Sequence, residues 1–197
     1  MKKTFSSLLF AVIAITVLAQ AKQDTSQHLA FKGVPVDGTL DDYVSKMKQN
    51  GFTHIQTEDG TAILNGDFAG YKDCIVGVST LKHKDLVNRI AVIFPNKDTW
   101  STLSGNYFDL KQTLTEKYGK PLDVVEKFDG YSQPNDDQSR MLKVKLDNCK
   151  YLSNWQTDKG EIQLSIDHNS FTSCFVKLAY FDKINSDKIK ATAKDDL

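Results

Sequence analysis

Residues 161–167 alternate strictly between apolar and polar side chains. A period of two is typical of a β-strand with one face in the core and the other in water. The intervening Gln163 and Ser165 are predicted to face solvent. The apolar positions predicted to face a core are Ile162, Leu164 and Ile166. A sheet of such strands has an apolar face that another layer must cover, which restricts the chain to a few layered architectures.

Much of the remaining chain also has strand-like patterns bounded by turn residues. Residues 52–57 and 61–68 flank Glu58-Asp59-Gly60, a hairpin turn in which glycine supplies the positive φ. The alternation of residues 141–156 changes phase near Asp147-Asn148, which predicts a bulge or a break. The other predicted strands are residues 74–81, 87–94, 124–128, 161–168 and 174–181.

Two segments have the helical spacing of apolar residues instead. In the first, Thr39 and Asp42 resemble a capping box, and Asn50-Gly51 ends the helix. The second runs over residues 99–118, where Asp98 is predicted to cap the start and Gly119-Lys120-Pro121 stops the helix. The apolar faces are formed by Leu40, Tyr43, Val44 and Met47 in the first helix, and by Leu103, Tyr107, Leu110, Leu114 and Tyr118 in the second.

These elements predict an α+β fold, in which an antiparallel β-sheet is covered by two amphipathic helices. The order is one helix and four strands, twice, which predicts two similar halves at residues 28–95 and 96–184 and an internal duplication. The last strands of the halves are alike, since residues 89–93 (RIAVI) align with residues 177–181 (KLAYF). A polar loop is predicted at residues 130–139. The charged tail at residues 185–197 is predicted to be loose, either disordered or a frayed helix.

The N-terminus predicts a signal peptide at residues 1–21. Lys2 and Lys3 supply the positive charge, residues 8–18 are apolar, and Ala19-Gln20-Ala21 places small residues where signal peptidase reads them. As a helix the apolar run is about 16 Å long, too short to cross a ~30 Å hydrocarbon core. The alternative is a membrane anchor, which needs a longer apolar segment. No cysteine that could carry a lipid lies near the cleavage site. We therefore expect an exported protein, periplasmic or extracellular, with no stable membrane anchor after cleavage.

The charge of the chain is balanced, with 25 Lys and Arg against 25 Asp and Glu. The basic clusters at residues 82–84 and 143–145 lie near Asp85 and Asp147. Nucleic-acid-binding proteins usually carry a basic stripe or patch. We therefore predict no nucleic-acid partner, and expect an envelope or extracellular protein instead.

Three cysteines, Cys74, Cys149 and Cys174, follow the predicted cleavage site. Export places them where disulfides form, and an odd number leaves at least one thiol free or bridged between chains. A candidate disulfide joins Cys149 to Cys174 with Cys74 left over, and closing this loop is worth about 3 kcal/mol. The spacing does not fix the pairing. The alternative is three buried thiols that act as small hydrophobic residues.

No residue pattern indicates a catalytic, metal or cofactor site. The four histidines are His28, His54, His83 and His168. None has metal-ligand spacing, and no nucleophile elbow or phosphate-binding loop is present. Asp167-His168 is the nearest approach to an acid–base pair, but adjacent strand residues face opposite sides of a sheet. Asp136-Asp137 lacks the further oxygen ligands of a calcium site. We predict no catalytic residue, no metal site and no cofactor.

Four aromatic side chains have ring faces that could stack on a sugar: Trp100, Tyr131, Tyr151 and Trp155. Trp155 precedes a hairpin turn and is predicted to lie in the core. Tyr131 lies in the polar loop, so it is the best aromatic candidate for an exposed contact.

Three segments resemble a pattern in exported proteins of Gram-negative gut bacteria: residues 31–40 (FKGVPVDGTL), the helix ending at residues 118–121 (YGKP), and Trp155 shortly before residues 160–164 (GEIQL). That resemblance brings no activity with it. The repeated layout of a helix plus antiparallel strands is similar to the tandem architecture of the beta-lactamase inhibitor protein family. It also resembles small outer-membrane assembly lipoproteins, although their lipid-bearing cysteine is missing here. Because fold does not fix function, no functional residue is carried over.

The sequence thus favours a non-catalytic binding or interaction module of the cell envelope, because a large antiparallel sheet offers a broad face that binds without titrating residues. The alternative is a small exported hydrolase with a site assembled from scattered carboxylates or histidines. A hydrolase requires a deep pocket with converging ionisable groups. A binding module requires an exposed apolar or aromatic patch.

Overall fold

The structure is a computed structural model that describes residues 26–81, 84–130, 133–169 and 172–195. The predicted signal peptide at residues 1–21 lies outside these ranges, as do His83 and Tyr131. No helix within the described ranges is long and apolar enough to span a membrane. The fold is α+β, which confirms the predicted class.

The elements follow one another in a simple order. A small hairpin comes first, β1 (Ala30–Phe31) and β2 (Val34–Pro35), and then helix α1 (Leu40–Gln49). Four strands follow: β3 (Thr53–Glu58), β4 (Thr61–Phe68), β5 (Tyr71–Leu81) and β6 (Lys84–Ile93). The remaining elements are α2 (Trp100–Tyr118), β7 (Asp123–Phe128), α3 (Asp137–Lys145), β8 (Cys149–Gln156), β9 (Gly160–Asn169), β10 (Ser173–Asp182) and α4 (Lys183–Asp195).

The large sheet has eight antiparallel strands in the order β3-β4-β5-β6-β10-β9-β8-β7. The first four strands of the chain form one side of the sheet and the last four form the other. They meet where β6 pairs with β10, with Ala91 opposite Ala179. The edge strands of the sheet are therefore β3 and β7.

Both predicted helices are present, and their ends have the expected causes. The side chain of Thr39 accepts a hydrogen bond from the N–H of Asp42, which caps α1. Helix α2 is capped by Thr99 rather than by Asp98, because the Thr99 side chain accepts from the N–H of Thr102. Gly119 ends α2 at a φ of 83°, a conformation that favours glycine.

The region from residue 130 to residue 156 differs from the prediction, since helix α3 occupies the end of the predicted loop and the start of the predicted strand. Asp136 caps α3 by accepting from the N–H of Ser139 at 2.8 Å. Met141 and Val144, three residues apart, are both buried. The phase change near Asp147 is therefore the junction between a helix and a strand, and Asp147 has a positive φ of 57° there.

The tail from residue 185, predicted to be either disordered or a frayed helix, is helical as far as residue 195, and α4 follows β10 directly. Asp182 accepts from the N–H of Asn185 at 2.8 Å. The buried amide of Asn185 donates to the carbonyls of Val36 and Val87 at 3.1 and 2.9 Å. These bonds anchor the helix, so few apolar residues are needed to order its start.

The core lies between one face of the large sheet and helices α1, α2 and α3. The three residues predicted to face the core are buried there: Ile162, Leu164 and Ile166. The alternate residues of each strand point to the other side of the sheet. We call this side the open face; its central residues are Ile63, Ile75, Gly77, Ala91, Ile93, Lys177 and Ala179.

Candidate functional site

The open face is the broad side of the eight-stranded sheet that lies opposite the core. One row of opposed residues crosses it from β3 to β7: Thr53, Asn65, Ile75, Ile93, Lys177, Ser165, Leu152 and Val125. Ile75 and Ile93 lie opposite each other and are both partly exposed. Lys177 continues the row on β10 and forms an ion pair with Asp167. The centre of this row therefore combines apolar surface with a charge pair.

The next row contains small residues at the centre of the sheet. Gly77 lies opposite Ala91, and Ala91 lies opposite Ala179. Longer side chains stand at the two ends of this stretch, Ile63 on β4 and Gln163 on β9. The small side chains therefore form a shallow trough across β5, β6 and β10, in which Ala179 is almost fully buried.

A cleft of about 360 Å³ lies where the sheet meets α4. Its ionisable lining residues are Glu161, Asp182, Lys183, Asp187 and Lys190. Lys183 forms an ion pair with Asp187, and the carboxylate of Asp182 is held by structural hydrogen bonds. Much of the charge in the cleft is thus paired within the protein itself.

The buried carboxylate of Asp182 joins the N-terminal segment to α4. Its Oδ1 lies 3.1 Å from Nδ1 of His28, and its Oδ2 accepts from the N–H of Leu29 at 2.9 Å. The other ring nitrogen of His28 lies 3.5 Å from Asp37. Burial opposes ionisation of Asp37, but bonds from Asn185 and the N–H of Gly38, together with His28, lower the pKa of Asp37. This cluster holds two ends of the described chain together.

His168 and Asp167 point to opposite faces of β9. The Nε2 atom of His168 lies 2.8 Å from Oδ1 of Asp147, whose side chain is highly exposed. Asp167 is paired with Lys177 on the open face. On the edge strand β3, Nε2 of His54 lies 2.8 Å from the hydroxyl of Thr57. The structure therefore does not bring His54, Asp167 and His168 together in one site.

All three cysteines are free thiols in the structure. Cys149 begins β8 and Cys174 lies near the start of β10, with β9 between these strands. Two strand spacings are about 9.6 Å, whereas a disulfide spans about 4.4–6.8 Å between Cα atoms. The candidate Cys149–Cys174 bridge is therefore not formed, and Cys74 and Cys174 are buried. Burial raises the pKa of each thiol, that of Cys149 to about 12.

The tryptophans belong to the core. Trp155 is buried, as predicted, and its Nε1 donates to the carbonyl of Gly119 at 2.9 Å. Trp100 is also buried, and its ring packs edge-on against Tyr151, 5.0 Å between centroids. Among the residues that the structure describes, an aromatic side chain with a large exposed area is Phe108 on α2, which no sequence pattern singled out.

The adjacent acids Asp136 and Asp137 cap two different helices. Asp136 caps α3, and the carboxylate of Asp137 accepts from the N–H groups of Trp100 and Ser101 at 2.8 and 2.9 Å, at the start of α2. Among the described residues, no group of three or more His, Cys, Asp or Glu side chains is placed to hold a metal ion.

A smaller cavity of about 170 Å³ lies between α2 and the sheet, lined by apolar residues that include Phe68, Leu110 and Tyr180. Asn106 lies one turn before Leu110 and is buried, and neither polar atom of its amide has a hydrogen-bond partner in the described part of the chain. A buried amide in this state lowers stability.

The edge strand β7 is the feature that sequence patterns did not single out. Period-two alternation identifies a strand, but it does not show whether the strand is central or at an edge. The apolar residues Leu122 and Val124 were the available signal in the sequence, and both are exposed in the structure. No protein-family model, curated protein or solved structure matches this chain. The resemblance to exported gut-bacterial proteins and the tandem likeness to beta-lactamase inhibitor protein stay predictions.

Proposed function

We propose that this protein is a non-catalytic binding or interaction module of the cell envelope, exported through a signal peptide at residues 1–21 to the periplasm or the extracellular space. The observation that carries this proposal is the open face of the eight-stranded sheet. Its partner is an envelope or extracellular protein, because a wide and shallow surface suits a protein better than a small ligand, which needs a concave pocket.

The chemistry of the open face supports binding by contact rather than by reaction. Ile75 and Ile93 supply apolar area, the trough at Gly77, Ala91 and Ala179 supplies shape, and Lys177 adds a charge. A contiguous patch of exposed apolar surface marks an interaction site, and Ile75 and Ile93 lie opposite each other at the centre of this face. None of these contributions requires a residue to gain or lose a proton.

A small exported hydrolase is the second candidate, and the cleft beside α4 is the observation that favours it. Glu161 and Lys190 line that cleft, while Lys183 and Asp187 pair with each other and Asp182 is held by hydrogen bonds. A glycoside hydrolase requires two carboxylates across the scissile bond. Glu161 alone does not supply that pair, so the binding function is better supported.

We also propose that the two halves, residues 28–95 and 96–184, arose by internal duplication. The bounds of β4 shifted by 88 residues are those of β8, from 61 to 149 and from 68 to 156. The same shift carries Ala91 onto Ala179, its own partner between β6 and β10. A duplicated sheet has a pseudo-two-fold axis at this pair, which gives the open face two similar flanks.

The test is a pull-down from native envelope extract with the exported protein as bait and mass spectrometry of the retained proteins. One protein held at near-stoichiometric amount by the wild type, and lost with the double variant Ile75→Gln, Ile93→Gln, supports the proposal. The matched control is Ile55→Gln, which changes an exposed isoleucine on β3 away from the centre of the sheet. Circular dichroism of each variant checks that the fold is retained.

Two outcomes contradict the proposal. Equal retention of the partner protein by the wild type and by the double variant would show that the binding site does not lie on the open face. If no specific protein is retained at low salt or after cross-linking, the binding function is wrong, and the purified protein is then assayed against hydrolase substrates.

A further inference from the structure

The edge strand β7 is regular, whereas the opposite edge strand β3 is not. The register of β3 shifts between His54 and Gln56, so Ile55 is an extra, bulged residue. A bulge of this kind hinders the pairing of a further strand. In contrast, β7 pairs with β8 without any shift from Asp123 to Phe128, and no other strand in the described ranges pairs with its outer edge.

The free hydrogen-bonding groups of β7 belong to alternate residues. Asp129, which follows β7, donates its backbone N–H to the carbonyl of Asn148 at 2.9 Å, toward β8. The backbone groups of an antiparallel strand alternate between its two edges. Those of Val124, Glu126 and Phe128 therefore point away from β8. The carbonyl of Phe128 accepts a hydrogen bond from the side-chain amide of Gln133 at 3.2 Å, so the groups that an added strand would meet are those of Val124 and Glu126.

Apolar side chains are exposed on this edge and beside it. Leu122 is 75% exposed, Phe108 is 45% exposed and Val124 is 41% exposed. Phe108 belongs to α2 but lies next to β7, because Lys111 lies over its ring and forms an ion pair with Glu126. A cluster of exposed apolar residues marks an interaction surface.

A second copy of β7 fits this edge in one antiparallel register. In this register Val125 lies opposite Val125 of the second copy, and Val124 lies opposite Glu126 of the second copy. The backbone groups of Val124 and Glu126 both point outward, so these two residues can exchange hydrogen bonds. Asp123 then lies opposite Lys127 of the second copy, and the symmetry repeats this contact. Asp123, Val125 and Lys127 are alternate residues, so they share the open face. Opposite charges that face each other across strands stabilise the pairing.

The two neighbouring registers that keep the same backbone groups paired are less favourable. In one, Glu126 lies opposite its own counterpart and Asp123 lies opposite Asp129, so like charges meet. In the other, the overlap within β7 falls to three residues, 123–125, because the strand ends at Asp123.

Lys127 can form the new ion pair without leaving an uncompensated carboxylate. Its ammonium lies 3.4 Å from Asp129, and Lys150 binds the same carboxylate at 2.8 Å. Asp129 therefore keeps a cation when Lys127 turns toward Asp123 of the second copy.

From these observations we propose that two copies of this chain associate through β7, paired antiparallel about a two-fold axis at Val125. Such an isologous contact joins the two eight-stranded sheets edge to edge. The proposal concerns the outer edge of β7 and not the centre of the open face, and it does not depend on the open-face binding function.

The first test measures association and register together. Sedimentation velocity of the purified protein over a concentration series is expected to show a monomer–dimer equilibrium. Single variants Val124→Cys, Val125→Cys and Glu126→Cys are then oxidised. A Cys at 125 lies about 4.5 Å from its counterpart, Cα to Cα, in a pair of this type, which suits a disulfide. We expect a covalent dimer from Val125→Cys and none from the other two. The wild type controls for the native thiols.

The second test exchanges the charges. Asp123→Lys and Lys127→Asp each place like charges opposite one another twice, and each is expected to weaken the dimer about tenfold or more. The double variant Asp123→Lys, Lys127→Asp restores both pairs and is expected to restore dimerisation. The matched control is Glu58→Lys, which reverses an exposed charge at the opposite, bulged edge and leaves the dimer unchanged.

Each outcome of these two tests either supports the proposed dimer or overturns it. Dimerisation with a cross-link at residue 125 and rescue by the charge exchange support the proposal. A monomer at every concentration overturns it, as does a dimer that cross-links at residue 124 or 126, or at none of the three positions. A charge exchange that fails to restore the dimer overturns the register. Circular dichroism identifies any variant that does not fold. Such a variant is set aside, and the variants that do fold decide whether the proposal is right.

Discussion

At the scale of single residues, the thiols of Cys74, Cys149 and Cys174 lie where ionisation is unfavourable. Burial raises the pKa of each of them, that of Cys149 to about 12. At pH 8 a thiol with that pKa has roughly a thousandfold less thiolate than an ordinary cysteine, and the thiolate is the reactive form. We expect the native protein to react slowly with a thiol reagent at pH 8, as followed by absorbance.

The same reagent in guanidinium chloride provides the control, because unfolding exposes every thiol. We expect all three thiols to react under these conditions. A count of one thiol would reveal a disulfide between two of the three cysteines and contradict the structure. Rapid reaction in the native state would contradict the burial.

Single residues also show how far the candidate site could be predicted. Trp155 was expected in the core from its place before a turn, and it is buried. In contrast, nothing in the sequence distinguishes Asn106 from an exposed polar residue of α2. Whether its amide finds a partner depends on the packing of other elements around it, and that packing is a property of the folded chain alone.

At the scale of elements, α2 depends on a residue of α3. The carboxylate of Asp137 accepts from the backbone N–H groups of Trp100 and Ser101, which have no partner within their own helix. Substitution Asp137→Ala removes both bonds and is expected to lower the free energy of unfolding by about 1–2 kcal/mol. Urea unfolding followed by circular dichroism measures this difference.

The matched control is Asp158→Ala, which removes an exposed carboxylate from the turn between β8 and β9. We expect that variant to unfold at the same urea concentration as the wild type. An equal loss of stability in both variants would mean that Asp137 acts through its charge alone and not as a cap.

The elements also differ in how well their sequence predicts them. The apolar spacing of α1 and α2 and the alternation of β9 extend over enough residues to identify the structure. Helix α3 has only nine residues, and three residues, 146–148, separate it from strand β8. Its apolar pair, Met141 and Val144, fits either a helix or an irregular strand. The sequence feature that could have identified this helix was its N-terminal cap, Asp136.

At the scale of the whole molecule, the two sides of the sheet should unfold together. Strands β6 and β10 pair along five residues, and the amide of Asn185 binds the carbonyls of Val36 and Val87. Both tryptophans, Trp100 and Trp155, lie on the second side, while Cys74 lies on the first. We expect tryptophan fluorescence and labelling of Cys74 to give the same urea midpoint.

A lower midpoint for Cys74 labelling would show that the first side opens by itself and that the contacts of Asn185 do not couple the two. The variant Asn185→Ala tests that coupling, since it removes the contacts to Val36 and Val87. We expect this variant to separate the two midpoints or to lower both.

The sequence predicted a helix followed by four strands, twice. The structure has α1, α2 and the eight strands of the large sheet in that order, with the β1–β2 hairpin, α3 and α4 in addition, while the similarity of the two halves stays a prediction. The sequence did not predict which strands meet in the middle. Residues 89–93 and 177–181 share their composition, but pairing between them is a long-range contact. Local patterns report the face of a strand and not its neighbours.

The bulge at Ile55 has a consequence for assembly. In the language of polymer chemistry, a sheet with two regular edges is a bifunctional monomer, and it can grow into a fibre without limit. The extra residue in β3 hinders one of these ends, so that β7 is the edge that stays reactive among the strands that the structure describes. A monofunctional building block can couple once and then has nothing left to react. Growth through sheet edges then stops at two copies, however concentrated the protein becomes.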